Sequence, residues 1–170
     1  DLSGLFDPFK LKDMTKTVAR IKKASHNKET IAIIADYDVD GLTSCAILKS
    51  IQEKLKLEVS CYIPNRISEG YGLSIQAIDH CLAKRAKLVF AVDCGITNHK
   101  EIDFLKAHNI ETIIIDHHQP KDNNLPAAFA IINPKRSDCT YPYKELATVG
   151  LVHKLSEALS QERDIYLDLV

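Results

Sequence analysis

The sequence predicts an α/β fold: a doubly wound, mainly parallel five-stranded sheet with helices on both faces. Three observations lead there. Short runs rich in Ile, Val, Ala and Phe recur along the chain, and the first of them, Ile31-Ala32-Ile33-Ile34, is too apolar to be a half-exposed strand. Stretches with apolar residues at helical spacing lie between such runs, and alternating strands and helices imply a parallel sheet. Four of the runs end in polar clusters that would meet at one edge of such a sheet.

Residues 1–9, with Gly4, Pro8 and scattered aromatics, read as an arm or entry loop. From 10 to 24, Leu11, Met14, Val18 and Ile21 recur at helical spacing among lysines, which predicts an amphipathic helix. A buried strand follows at 31–35, then the acidic turn Asp36-Tyr37-Asp38-Val39-Asp40-Gly41, then a helix over 42–55. Val59, Cys61 and Ile63 alternate in a second strand ended by Pro64-Asn65-Arg66. After the glycine-bearing loop Ser68-Glu69-Gly70-Tyr71-Gly72, Ser74 is placed to cap a helix carrying Ala77, Ile78, Cys81 and Leu82.

A third strand, 88–92, ends in Asp93-Cys94-Gly95, and Thr97 is expected to cap a helix running through Leu105. A fourth strand, 110–115, ends in Asp116-His117-His118, and a fifth, 129–132, in Asn133-Pro134. A polar loop, a helix over 144–159 interrupted by Gly150, and a short helix over 164–170 complete the chain.

At 170 residues and 45% hydrophobic content the chain suits one domain with a conventional core. A formal net charge of −1 gives no global basic field, which argues against tight nonspecific binding to duplex DNA and leaves room for a short or single-stranded substrate held locally. Five cysteines without a C-x-x-C pair read as reduced core residues of a cytosolic protein, not as a disulfide framework or a zinc site. There is no signal-peptide pattern and no stretch near the roughly 18 apolar residues of a membrane span, so a soluble, cytoplasmic protein without membrane association is expected.

The polar clusters carry the chemistry. Asp36, Asp38 and Asp40, then Asn65 and Arg66, then Asp93, then Asp116, His117 and His118 fall at the carboxyl ends of four predicted strands, where open α/β sheets bind ligands. Carboxylates within roughly 4–6 Å raise one another's pKa, and a bound cation resolves that conflict. A set of carboxylates with one or two imidazoles and no thiolate suits Mn²⁺ or Mg²⁺. Bridging carboxylates admit two ions about 3.5–4 Å apart, which points to phosphoester hydrolysis. Other readings stay open residue by residue. Asp40 before Gly41-Leu42 has the position of a helix N-cap, and Asp36 that of an acid bonding turn amides. Arg66 is either an ordinary exposed arginine or a bidentate phosphate clamp. Lys135-Arg136 is either a solvated loop pair or part of the site. His26, His80, His99, His108 and His153 read as ordinary surface or core histidines.

Together, Asp36-Tyr37-Asp38-Val39-Asp40-Gly41, Asp93-Cys94-Gly95-Ile96 and Asp116-His117-His118 resemble the DHH phosphoesterase superfamily. Further segments look RecJ-like, that is, like the single-stranded-DNA exonucleases of the superfamily: Asp7-Pro8-Phe9, Lys12-Asp13-Met14, Pro64-Asn65-Arg66, Glu69-Gly70-Tyr71-Gly72, Ile132-Asn133-Pro134-Lys135-Arg136 and Tyr166-Leu167-Asp168-Leu169-Val170. The resemblance implies a binuclear manganese or magnesium centre with Asp38, Asp40 and His117 as ligands, Asp93 bridging, and Asp36 as a further candidate. It implies that His118 contacts the scissile phosphate or assists proton transfer and that Arg66 holds a phosphate. Asp116 is expected to orient the histidine pair from behind.

The implied activity is 5′-to-3′ removal of nucleotides from single-stranded DNA in recombination and repair, by a monomer working beside a single-strand-binding protein or a helicase. A DHH hydrolase of oligoribonucleotides, cyclic dinucleotides or pyrophosphate is the alternative enzyme, and a noncatalytic binding module the alternative class. The expected layout is an N-terminal arm and helix over 1–30 and a DHH domain over 31–170. RecJ-like proteins continue into a further metal motif and a DHHA1 domain, so the chain is expected to be the N-terminal catalytic part.

Overall fold

The computed structural model describes residues 4–121 and 124–160, so the helix expected over 164–170 lies outside the described residues. The strands are β1 (Ile31–Ala35), β2 (Val59–Tyr62), β3 (Leu88–Val92), β4 (Glu111–Ile115) and β5 (Ala130–Ile132). They pair in parallel in the order β2-β1-β3-β4-β5. Every residue of β1 and β3 is buried, as expected for central strands covered on both faces.

The pleat splits those strands between two cores. Ile31, Ile33, Leu88, Phe90, Val92 and Ile113 face a layer formed by α1 (Met14–Asn27), α2 (Val39–Lys54) and α5 (Thr148–Ser160). Ala32, Ile34, Val89, Ala91 and Ile114 face α3 (Ile75–Ala83) and α4 (His99–Ala107). Each fully buried Ile, Leu or Phe contributes roughly 1.5–3 kcal/mol to holding these layers.

Several boundaries differ from the sequence expectation, each for a local reason. Residues before Met14 form a 3-10 turn, Pro8–Lys10, capped by the Asp7 carboxylate, and Asp13 at φ 64 separates it from α1. α2 begins at Val39, not at 42, because the carboxylate of Asp38 accepts from Gly41 N at 3.0 Å. The N-cap is therefore Asp38, and Asp40 lies inside the first turn. Asn98, not Thr97, occupies the N-cap of α4. α5 starts at Thr148, later than 144, and runs through Gly150 without a break. Ser74 caps α3 as predicted, accepting from Ala77 N at 3.0 Å.

All five cysteines are free, and Cys45, Cys81, Cys94 and Cys139 are buried. Cys61 is not a core residue: it is exposed on β2, an edge strand. Among the described residues no helix is long and apolar enough to cross a membrane.

Arg136 is buried, so its place is not a solvated loop. Its guanidinium donates to Asp13 Oδ2 at 2.8 Å, to the Ile131 carbonyl at 2.6 Å and through a bidentate fork to Asp138 at 2.8 Å. Asp13 Oδ2 also accepts from Ile131 N at 3.0 Å, so this cluster ties the start of α1 to β5. Lys154 ties α5 to the N-terminal arm, donating to the Phe6 carbonyl at 2.9 Å, while Glu157 one turn along α5 balances its charge at 2.7 Å.

Candidate metal centre

The strand register builds the site. Ala35 pairs with Val92, Val92 with Ile115, and Ile115 with Ile132. The ladder continues one residue further: Asp36 N donates to Val92 O at 3.1 Å, Asp93 N to Ile115 O at 2.9 Å and Asp116 N to Ile132 O at 3.1 Å. Asp36, Asp93, Asp116 and Asn133 therefore form a row along the carboxyl edge. Chain order reverses between β1 and β3, so Asp36 and Asp93 flank the crevice where such sheets hold ligands.

Among the described residues, two groups of side chains offer ligand atoms within 4.8 Å of one another: Asp36, Asp38 and Asp93, and Asp93, His117 and His118. Asp93 belongs to both. Asp40 stands outside these groups but reaches the second, its Oδ2 lying 3.7 Å from His117 Nε2, which is itself 3.6 Å from Asp93 Oδ1. Asp36 is 5% exposed, and its Oδ1 is buried without a hydrogen-bond partner. An unpaired buried carboxylate oxygen beside two more carboxylates is a place for a cation, and an oxygen-and-imidazole donor set fits Mn²⁺ or Mg²⁺.

Local backbone geometry makes this crowding feasible. A Cβ on Gly41 would sit 2.3 Å from the carbonyl oxygen of Asp36, so only glycine lets the first turn of α2 fold back on the acidic turn. Asp93 itself adopts a left-handed conformation, φ 57, which Asp tolerates better than most residues.

The electrostatics follow from burial. Desolvation first, then the charges of Asp40, Asp38 and Asp116, push Asp93 up to about 8 despite a hydrogen bond from Thr148 that acts the other way. Asp36 is raised by burial and by Asp38. His118 is raised, chiefly through its bond to Asp116.

Asp116 is fully buried and spends its oxygens locally, Oδ2 accepting from Ile96 N at 3.1 Å and Oδ1 from His118 N at 3.0 Å. Its Oδ1 also lies 2.7 Å from His118 Nδ1, a contact in which the carboxylate accepts and Nδ1 carries the proton.

Arg66 lies on the exposed turn after β2, its guanidinium 5.4 Å above the Tyr37 ring, where its charge offsets part of the rise at Asp36.

Three residues that sequence reasoning missed also line the site. Thr148 donates from Oγ1 to Asp93 Oδ1 at 2.8 Å. The Tyr71 hydroxyl donates to the Asp93 carbonyl at 3.0 Å and stands 3.1 Å from His118 Nδ1. Asn133 donates to the His118 carbonyl at 2.9 Å. Asn133 was detectable as a polar residue ending a buried strand, like the aspartates. Thr148 carried no such signal.

The profile of the DHH family, N-terminal domain, matches residues 30–170. The chain belongs to the DHH family. It is 42% identical over 168 residues to the single-stranded-DNA-specific exonuclease RecJ of Bacillus subtilis, covering 98% of this chain and 21% of that protein. It is 36% identical over 159 residues to the RecJ of Escherichia coli, covering 93% of this chain and 27% of that protein. Among solved structures, an exonuclease RecJ bound to manganese superposes with a TM-score of 0.80 at 32% identity, over 89% of this chain and 38% of that one. This DHH chain thus spans about a quarter of the length of these curated relatives.

Proposed function

We propose that this DHH chain holds the metal centre of a RecJ-type phosphodiesterase, which in the full-length protein removes nucleotides from the 5′ end of single-stranded DNA. The observation that carries the proposal is the convergence of Asp36, Asp38, Asp93, His117 and His118 on one crevice, with a buried oxygen of Asp36 left unpaired. The likeness to RecJ exonucleases supports the substrate class.

In this reading Asp36, Asp38 and Asp93 hold one divalent ion, and Asp93, His117 and Asp40 a second. When bound, such ions acidify water and neutralise charge on a phosphoryl group. The chain's own residues do the rest. Asp116 fixes His118 so that Nε2 faces the scissile phosphate and steadies it or passes a proton. Arg66 leaves the Tyr37 ring to take a phosphate oxygen pair with its planar fork. The backbone of β1, β3 and β4 holds these groups on a rigid sheet edge, so little reorganisation is needed on substrate binding.

The proposal extends to organisation. Residues 1–30 serve as an arm and a packing helix, 31–170 form the DHH domain, and a downstream domain in the full-length protein grips the nucleic acid. A cytoplasmic monomer meeting single strands made by a helicase or coated by single-strand-binding protein fits this chemistry.

The test is degradation of 5′-phosphorylated single-stranded DNA by the full-length protein with Mn²⁺ or Mg²⁺, beside duplex DNA and dinucleotides. Rapid loss of the single strand is expected. Sparing the single strand while cleaving dinucleotides would replace this reading with a small-substrate hydrolase, and inertness toward all three with a binding module.

A further inference from the structure

We propose that Thr148 is a positioning residue that aims two metal-binding carboxylates at His117, an inference that rests on the metal-centre reading above. Thr148 is 0% exposed and opens α5. Its Oγ1 donates to Asp93 Oδ1 at 2.8 Å, and its backbone N donates to Asp40 Oδ2 at 2.8 Å. Val149 N completes the grip on Asp40, donating to Oδ1 at 2.6 Å.

The two oxygens that Thr148 holds are the ones that face His117 Nε2, Asp93 Oδ1 at 3.6 Å and Asp40 Oδ2 at 3.7 Å. Each carboxylate oxygen has two lone pairs. Thr148 occupies one on each, and the other is left for an ion shared with His117.

The geometry solves a problem the ligands cannot solve alone. Asp93 follows β3 while Asp40 lies in the first turn of α2, and each carboxylate rotates about its own bond. Like charges would turn the two away from each other. A single residue bonded to both sets their separation, and α5 is tied to the N-terminal arm by the Lys154 bond to the Phe6 carbonyl. The hydroxyl contributes only through the carboxylate it orients, so its loss acts on ion affinity more than on folding.

The test is calorimetric titration of the full-length protein with Mn²⁺. Thr148→Ser keeps the donor and is expected to bind as the wild type does. Thr148→Val keeps the shape and the backbone amide but loses the donor, and affinity is expected to fall by about 10–100-fold. Manganese electron paramagnetic resonance should show an altered signal in Thr148→Val and an unaltered one in Thr148→Ser.

Thr148→Ala gives the same comparison where Val is not tolerated in the fold. Equal affinities for wild type and Thr148→Val, or an equal loss in Thr148→Ser, overturn this inference and leave the metal centre standing. A wild type that binds no Mn²⁺ overturns both.

Discussion

Asp93 concentrates the cost of the site in one residue. It is 1% exposed, surrounded by other carboxylates, and pushed from an ordinary 3.8 up to about 8. In the metal-free state it therefore binds a proton that the unfolded chain has released, from about pH 4 to about pH 8, so folding stability falls as pH rises through that window. His118, raised above its ordinary 6.5, acts in the same direction over the upper part of the window. The metal-free protein is accordingly expected to melt at a lower temperature near pH 8 than near pH 6. Asn fits both the left-handed backbone and the bond from Thr148. Asp93→Asn should therefore remove much of that pH dependence and raise stability at the alkaline end, while lowering Mn²⁺ affinity by at least about 100-fold. A metal-free Asp93→Asn protein whose melting tracked the wild type across the window would show that Asp93 is not strained by its charge.

At the scale of elements, the turn from β1 into α2 is the part least tolerant of change. The sequence puts Asp40 in the position of the cap, but the amide of Gly41 swings toward Asp38 instead. The turn closes so tightly that a Cβ at Gly41 would meet the carbonyl oxygen, carbonyl carbon and nitrogen of Asp36 at 2.3, 2.7 and 2.8 Å. Backbone atoms cannot step aside as a side chain would. Gly41→Ala should cost about 1–3 kcal/mol, read as a lower urea midpoint with an unchanged slope. An unchanged midpoint would mean that α2 can shift without loss.

Across the whole molecule, the centre depends on segments far apart in sequence. α5 reaches Asp40 and Asp93 from the far end of the described chain. Arg136 clamps β5 to the start of α1 through Asp13. Arg136→Met leaves Asp13 without its cation and the Ile131 carbonyl without that donor, and is expected to cost about 2–4 kcal/mol in denaturant unfolding, with Mn²⁺ affinity unchanged. Unchanged stability with weakened DNA binding would instead make Arg136 a phosphate contact.

The α/β class, the five strands and the acidic and histidine residues that end them were determined by the sequence alone. Each βα unit writes its burial into a few consecutive residues, and a parallel sheet has one carboxyl edge on which the strand ends must meet. Tertiary structure decided what those patterns leave open. It made Asp38 the cap and set Asp40 within the first turn. It buried Arg136 as a clamp and left Cys61 exposed on an edge strand. It also brought Thr148 and Tyr71 against Asp93, and Asn133 against His118. The physical reason is range: periodicity and capping act over a few residues, whereas Thr148 meets Asp40 only because a helix from the other end of the chain docks beside it.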